Sequence, residues 1–193
     1  MRENTYVKLE LIQKKHKGYI STHNLLDEGI TNRQIKILME ENYLEKVCFG
    51  YYWFKQGKNH KPNDYKCIEA GLSNPRAVIC LDSACYYQGI LSKEPEYLSV
   101  ATGRTDRSSM KMNFGINRHY FSEKYIEIGS QKVNTEYGNY NIYKAERSVW
   151  DMIRLKENIP IELLNKKNVD REFQERILKY ASLFKMKGYV DER

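Results

Sequence analysis

The sequence predicts an α+β protein in two parts, a small domain of helices and a hairpin at residues 1–57 and a larger domain at residues 67–193. In the first part, apolar residues recur at helical spacing and then alternate with polar ones, as in a hairpin. After Pro95, short aromatic and apolar segments are separated by turn residues, which predicts a sheet between groups of helices. A polar, basic segment that contains Pro62 predicts a linker over 58–66.

The first part begins with a pattern of three helices. Apolar spacing predicts a first helix over Glu3–His16, which Gly18 ends. Ser21 is a suitable N-cap for a short second helix, and Gly29 can adopt the positive φ that a tight turn needs. Thr31 begins a capping-box pattern, which predicts the start of a third helix.

The segment Tyr43–Phe54 follows the third helix. Apolar residues alternate with charged ones before Gly50, and an aromatic run comes after it, which predicts a β-hairpin. A helix, a tight turn, a second helix and a hairpin in this order are typical of a winged helix-turn-helix, which places its second helix in the major groove of DNA. A packed hairpin with no role in binding is the alternative.

Polar side chains occupy the start of the third helix, where a helix-turn-helix contacts base edges. Arginine can bridge O6 and N7 of guanine, and asparagine or glutamine can bridge N6 and N7 of adenine. We therefore expect double-stranded DNA to be contacted through Thr31, Asn32, Arg33, Gln34, Lys36, Lys46 and Tyr51. A solvated polar helix face is the alternative.

The larger part is expected to hold helices, then a mostly antiparallel sheet, then C-terminal helices. A helix is predicted from about Asp64, and the apolar run Ala77–Tyr87 favours a buried helix over a strand. Five strands are predicted at Tyr97–Ala101, Asn117–Phe121, Tyr125–Ile128, Gln131–Asn134 and Asn139–Tyr143. The C-terminal helices are predicted over Ala145–Lys156, from Pro160, and over Arg171–Lys187.

Composition indicates the class of partner. The chain of 193 residues has a net charge of +7 and a pI of about 9.1, which favours an anionic partner, nucleic acid first. Its four cysteines have no C-x-x-C spacing, so we expect free thiols and no metal site. We see neither a signal peptide nor an apolar run long enough to cross a bilayer, which predicts a cytoplasmic protein with no membrane association. We also expect no cofactor.

Arg104, Arg107 and Lys111 lie in a polar loop after a predicted strand. Because a guanidinium fork matches two phosphate oxygens, this loop could extend the contact with DNA or meet RNA or a nucleotide. A solvated loop with no ligand is the alternative.

Charges alternate in sign along the helix predicted over Ala145–Lys156, at Glu146, Arg147, Asp151 and Arg154. The spacing of Arg147 and Asp151 suits an intrahelical ion pair, so we interpret the group as a buried ion-pair network rather than a catalytic site. The sequence has no Gly-rich phosphate loop and no G-x-S-x-G, and we expect no enzyme. A nuclease or phosphoryl-transfer enzyme on a DNA-binding arm is a further alternative.

Taken in order, several segments make the chain resemble the AbiEi family of antitoxins. The resemblance covers nearly the whole chain, with Ser148 where the family usually has Thr and Asp82 where an apolar residue is common. The segments that carry it are Gly29-Ile30-Thr31, Tyr43-Leu44-Glu45-Lys46, Gly50-Tyr51-Tyr52, Ala77 through Ala84 with Tyr87 and Gly89, Pro95 with the strand after it, and Glu146-Arg147-Ser148 with Asp151 and Arg154.

The resemblance implies an antitoxin of a type IV toxin–antitoxin and abortive-infection system. Such a protein binds inverted repeats in its own promoter, represses the operon, and counteracts a nucleotidyltransferase-like toxin through its C-terminal domain, with or without direct contact. Arg104, Arg107 and Lys111 would then serve antitoxicity or extra phosphate contacts. Because one domain makes few base contacts, we expect a monomer in solution that binds cooperatively to repeated half-sites. The alternative is a stand-alone regulator whose C-terminal domain senses an effector.

Overall fold

The computed structural model of the protein describes residues 3–16, 18–55, 60–157, 159 and 171–184. It is an α+β protein, as predicted, and divides into two compact units with separate cores. The first unit consists of Met1–Asn74, Ser109–Asn113 and Asn134–Asn139, and the second of Pro75–Ser108, Phe114–Val133 and Tyr140–Arg193.

The first unit combines helices with a three-stranded sheet. In chain order its elements are α1 (Glu3–His16), β1 (Tyr19–Ser21), α2 (Thr22–Asp27), α3 (Asn32–Glu40), β2 (Leu44–Cys48), β3 (Tyr51–Phe54) and α4 (Tyr65–Ser73). Strand β3 lies between β1 and β2 and pairs antiparallel with both. The helix predicted over residues 3–16 and the hairpin predicted over 43–54 are both present.

Helices α2 and α3 each begin at a capping box. Ser21 accepts a hydrogen bond from the backbone of Asn24, whose side chain accepts one from the Ser21 N–H. Thr31 and Gln34 make the same reciprocal pair, as the sequence predicted. Gly29, at a φ of +76°, makes the turn between the two helices. The local sequence therefore fixes where both helices start.

Helix α4 belongs to the first unit, although the sequence placed its first two residues in the linker and the rest in the second domain. Its Glu69 carboxylate is fully buried and accepts a hydrogen bond from the Tyr19 hydroxyl of β1 at 3.0 Å. Lys61 lies 2.7 Å from Glu69 and 2.8 Å from Glu45 of β2. Burial raises the pKa of Glu69 even though Lys61 opposes the shift. This polar cluster ties α4 and Lys61, a residue of the predicted linker, to the sheet.

The remaining elements form a five-stranded sheet with helices. They are β4 (Val78–Ile79), α5 (Leu81–Tyr87), β5 (Leu98–Gly103), β6 (Ile116–Phe121), α6 (Glu123–Ile126), β7 (Ser130–Thr135), β8 (Gly138–Tyr143), α7 (Ala145–Leu155) and α8 (Arg171–Leu183). The strand order is β6-β5-β4-β8-β7. The core of the second unit takes side chains from α5, α7, α8 and the sheet, among them Leu81, Cys85, Val149, Trp150, Phe173 and Ile177.

This sheet is mixed, and the prediction of a mostly antiparallel sheet was wrong. Strands β4 and β5 are antiparallel, but β4 pairs with β8 in parallel and β5 pairs with β6 in parallel. A parallel pair needs a long crossover, and the loop over residues 104–115 supplies it between β5 and β6. Strands joined by short turns usually pair antiparallel, and the sequence does not reveal that this loop is a crossover.

Two local predictions in this region also need correction. Residues Tyr125–Ile128 were predicted as a strand, yet helix α6 covers Glu123–Ile126, because the Ser122 carbonyl accepts hydrogen bonds from the N–H groups of Tyr125 and Ile126. The run Ala77–Tyr87 was predicted as one helix but begins with β4, whose Ile79 pairs with Val100 of β5. The helix predicted from Pro160 and the last residues of the helix predicted over 171–187 lie outside the described residues.

Three further features of the described residues concern the cysteines, metal-binding groups and helices long enough for a membrane. All four cysteines are free and buried, as predicted. In the described part of the chain, no group of three His, Cys, Asp or Glu side chains is placed to hold a metal ion. The same part contains no helix that is both long and apolar enough to span a membrane.

Candidate nucleic-acid interface

The start of α3 presents three polar side chains to solvent. Asn32, Arg33 and Lys36 are exposed, whereas Ile35 and Leu38 on the opposite face are buried in the core of the first unit. This division follows helical periodicity, because residues three or four apart share a face. The exposed face of α3 is therefore polar, with Arg33 and Lys36 at its start and Glu40, 3.9 Å from Lys36, at its end.

Gln34 has a different environment from its neighbours. Its side-chain oxygen accepts hydrogen bonds from the backbone and hydroxyl of Thr31, at 2.8 and 2.9 Å. Its side-chain nitrogen donates to the hydroxyl of Thr5 on α1 at 3.1 Å. Thr31 and Gln34 thus use their side chains to start α3 and to join it to α1, and neither is free to contact a base without breaking these bonds.

The turn between β2 and β3 presents Phe49, a residue that we did not select from the sequence. Its side chain is 91% exposed, which is unusual for a large apolar residue beside a core. Gly50 follows it at a φ of +79°, and the strand register shifts between Lys46 and Cys48, so Phe49 falls outside the alternation of the hairpin. A phenylalanine beside a turn glycine was the available signal. Tyr51, at the start of β3, is half-buried.

Lys111 lies beside the hairpin. It lines a cleft of about 660 Å³ together with Lys46 and Phe49. Asn113 fixes this arrangement, because its side-chain nitrogen donates to the Lys46 carbonyl at 2.8 Å and to the Glu45 carboxylate at 3.2 Å. The first unit thereby brings two predicted basic residues together with the exposed phenylalanine.

Arg104 and Arg107, which the sequence grouped with Lys111, lie in the second unit. Arg107 lines a cavity of about 710 Å³, and Arg104 lines a different one of about 290 Å³. The loop that carries them is ordered by Arg118, which donates to the Thr102 hydroxyl at 2.8 Å and to the Ser108 carbonyl at 2.6 Å. Arg104 and Arg107 therefore line different cavities of the second unit, and Lys111 belongs to the first unit.

The charged residues of α7 form the predicted ion-pair network. Arg147 and Asp151 are both fully buried, with 2.7 Å between Nε and Oδ2. Arg154 pairs with the other oxygen of Asp151 at 2.9 Å. Glu146 pairs instead with Arg176 of α8, at 2.5 Å. One carboxylate is thus shared by two guanidinium groups, which leaves this part of the second unit positively charged.

Comparison with known proteins adds nothing to these observations. No protein-family model matches the chain, and a search of curated proteins finds no significant match. The candidate interface therefore depends on the geometry of α3, the hairpin and Lys111.

Proposed function

We propose that the first unit is a winged helix-turn-helix that binds double-stranded DNA. The element order from α1 to β3 supports this proposal, since it has a helix, a strand, two helices joined by a tight turn, and a hairpin. The observation that carries it is the exposure of Asn32, Arg33 and Lys36 on α3, on the face away from the core.

In this proposal α3 is the recognition helix. Asn32 and Arg33 read base edges in the major groove, and Lys36 contacts a phosphate. The hairpin is the wing, from which Lys46, Tyr51 and the neighbouring Lys111 hold the backbone of the DNA. Thr31 and Gln34 contribute by fixing the start of α3 instead of reading bases, which narrows the set expected from the sequence.

We further propose that the chain is an AbiEi-like antitoxin, a cytoplasmic repressor of its own operon and not an enzyme. It binds inverted repeats in its promoter, as a monomer that binds cooperatively to adjacent half-sites, and its second domain counteracts a nucleotidyltransferase-like toxin. Support comes from the ordered family-like segments in both halves of the sequence. The burial of Arg147 and Asp151 also supports a structural role for the family-like segment of α7 over a catalytic one.

DNA binding is tested with the promoter region upstream of the gene as a fluorescent duplex. A variant with Asn32, Arg33 and Lys36 all changed to Ala should lose specific binding. A control variant with the exposed lysines Lys93, Lys132 and Lys179 changed to Ala should keep most of it. Equal losses in the two variants would indicate nonspecific attraction and would contradict the proposal.

Antitoxicity is tested by co-expression with the neighbouring gene. If that gene encodes a nucleotidyltransferase-like toxin, its expression alone should arrest growth, and expression of this protein should restore it. The triple α3 variant should also restore growth when expressed from an unrelated promoter, because repression and neutralisation are separate activities. Growth arrest that this protein does not relieve would contradict the antitoxin function. The proposal that the first unit binds DNA would not be affected.

One observation favours a second function, a stand-alone regulator that senses an effector. The second unit contains cavities of about 710 and 290 Å³, the larger within the usual size of ligand sites and the smaller close to its lower limit. In that case a ligand should change the affinity for operator DNA, and no toxin gene should adjoin this one.

A further inference from the structure

The charged side chains that line the smaller cavity of the second unit are all positive among the described residues. Three arginines line it, Arg104 from the loop after β5 and Arg147 and Arg154 from α7. Its lining among the described residues contains no aspartate or glutamate. Asp151 pairs with Arg147 and Arg154 from outside this lining, so three guanidinium charges are balanced by one carboxylate. Among the described residues, the cavity lining and its ion pairs therefore carry about two uncompensated positive charges.

Arg147 has an unused donor. Nε donates to Asp151, and Nη1 donates to the backbone carbonyls of Tyr125 and Ile128 at 3.2 and 2.7 Å. Nη2 is buried and has no hydrogen-bond partner among the described residues. A buried donor without a partner destabilises the folded state, and more so when the group is charged. Arg147 lines the cavity, so an anion bound there would balance the charge of its guanidinium group.

The rest of the wall is mainly aromatic. Tyr120, Phe121, Tyr125 and Phe184 line the cavity. The Arg154 guanidinium lies 5.1 Å from the ring centre of Phe121, and that of Arg147 lies 4.3 Å from the ring centre of Phe184. Aromatic rings beside guanidinium groups can stack on a planar ring while the guanidinium groups bind its anionic substituent.

We propose that this cavity binds a nucleoside phosphate. A phosphate monoester carries about −1.5 to −2 charges near neutral pH, which matches the uncompensated charge of the arginines. Forked guanidinium groups bind two phosphate oxygens at once, and the aromatic wall holds the base. A volume of about 290 Å³ is close to that needed by one mononucleotide or one terminal nucleotide.

The larger cavity makes a useful contrast. Three basic and three acidic residues line it, so it favours neither anions nor cations: Arg76, Arg107, Lys132, Asp106, Glu123 and Glu127.

The proposed site lies entirely in the second unit and depends on neither DNA binding nor antitoxicity. Two ligands share this chemistry, a free mononucleotide and the 5′-phosphorylated end of an RNA strand.

The test uses isothermal titration calorimetry on the full-length protein without DNA. The probes are adenosine and guanosine 5′-monophosphate, with adenosine and inorganic phosphate as separate arms. At least one nucleotide should bind, and should raise the melting temperature as ligands of the folded state do. Adenosine and phosphate alone should each bind about tenfold more weakly, because each offers only half of the contacts.

The variant Arg104→Gln removes one guanidinium from the wall. Arg104 is exposed, so the variant should fold normally and bind the nucleotide about tenfold more weakly, the loss expected for one charged hydrogen-bonding group. Arg107→Gln is the matched control, since it removes the same charge from the same loop but lines the other cavity. Its nucleotide affinity should stay within about twofold of the wild type.

A hexameric RNA with and without a 5′-phosphate separates the two sources. Tighter binding of the phosphorylated strand than of the mononucleotides assigns the site to an RNA end, and the reverse order assigns it to free nucleotide. The proposal is overturned if no nucleotide at millimolar concentration gives heat or a thermal shift. It is also overturned if Arg104→Gln and Arg107→Gln weaken binding equally, or if inorganic phosphate binds as tightly as the nucleotides.

Discussion

At the start of α3, side-chain exposure distinguishes residues that can contact DNA from residues that stabilise the fold. Arg33 is exposed, whereas the neighbouring Gln34 closes the capping box on Thr31 and reaches the buried Thr5 of α1. The two side chains differ by one position in sequence and by about 100° around the helix. Residue type alone suits both of them for base recognition, and the hydrogen bonds of Gln34 decide the difference.

Replacing Gln34 by Ala should lower the free energy of unfolding by about 1–2 kcal/mol. The substitution removes half of the capping box and leaves the Thr5 hydroxyl without its partner. Urea unfolding followed by circular dichroism measures the change. Arg33→Ala is the control and should stay within about 0.5 kcal/mol of the wild type, as exposed residues do. Equal stabilities for the two variants would show that Gln34 has no structural role.

Replacing Arg33 by Ala should weaken operator binding by about 1–3 kcal/mol and relax specificity at one base pair. Lys36→Ala should instead weaken binding to all sequences alike. It should also lower the slope of log affinity against log salt concentration by about one. Titrations of operator and scrambled duplexes at several salt concentrations distinguish the two patterns. If Arg33→Ala leaves the affinity unchanged, Arg33 does not belong to the recognition surface.

At the scale of elements, the hairpin turn places an apolar side chain next to basic ones. Phe49 is exposed, and Lys46 and Lys111 line the same cleft. DNA-binding elements that combine cations with an apolar side chain can insert it against the bases of the minor groove. The wing of the proposed fold has both components.

Phe49→Ala should weaken DNA binding by about 1 kcal/mol, roughly fivefold, through the loss of part of the apolar contact. Stability should hardly change, because the side chain already faces solvent. Affinity is measured by fluorescence anisotropy with the promoter duplex. The exposed Leu178 of α8 provides the control Leu178→Ala, for which no change in affinity is expected. Identical behaviour of the two variants would remove Phe49 from the interface.

The attachment of α4 to the sheet can be tested through Tyr19. Tyr19→Phe removes the hydroxyl that donates to the buried Glu69 carboxylate, and should lower the free energy of unfolding by about 1–3 kcal/mol. Tyr97→Phe, at a half-exposed side chain, is the control and should be nearly neutral. Chemical denaturation of both variants is the measurement. A neutral Tyr19→Phe would show that Glu69 does not depend on this bond.

Across the whole molecule, buried thiols and phenols dominate the expected response to high pH. Burial raises the pKa of Cys48 to about 11 and that of Cys85 to about 12, from an ordinary value near 9. The pKa of Cys80 and that of Tyr143 are also raised by burial. The folded protein therefore keeps protons that the unfolded chain loses.

The free energy of unfolding should fall as the pH rises from about 9 to 11. Because the unfolded state binds fewer protons in this range, each shifted thiol contributes a slope of about 1.4 kcal/mol per pH unit. Urea unfolding at several pH values measures the slope. Cys48→Ala should make the fall of the unfolding free energy with pH shallower, whatever its effect on stability at pH 7. A fall as steep as that of the wild type would contradict the raised pKa of Cys48.

Local signals in the sequence predicted much of this protein. Capping residues and turn glycines fix the starts of α2 and α3, and apolar spacing fixes α1 and α7, because each depends on residues within a few positions of one another. The pairing of Arg147 with Asp151 also follows from helical spacing. These features do not depend on the rest of the chain.

Tertiary structure decided what depends on distant partners. The parallel pairing of β5 with β6, the placement of α4 through Tyr19 and Glu69, and the cleft that Lys111 lines with Lys46 all join residues far apart in sequence. The sequence by itself determined the α+β class and the polar start of α3. Only the folded chain decided that Gln34 is used internally and that three arginines meet at an aromatic cavity, because burial and hydrogen bonding across elements are set by packing and not by local order.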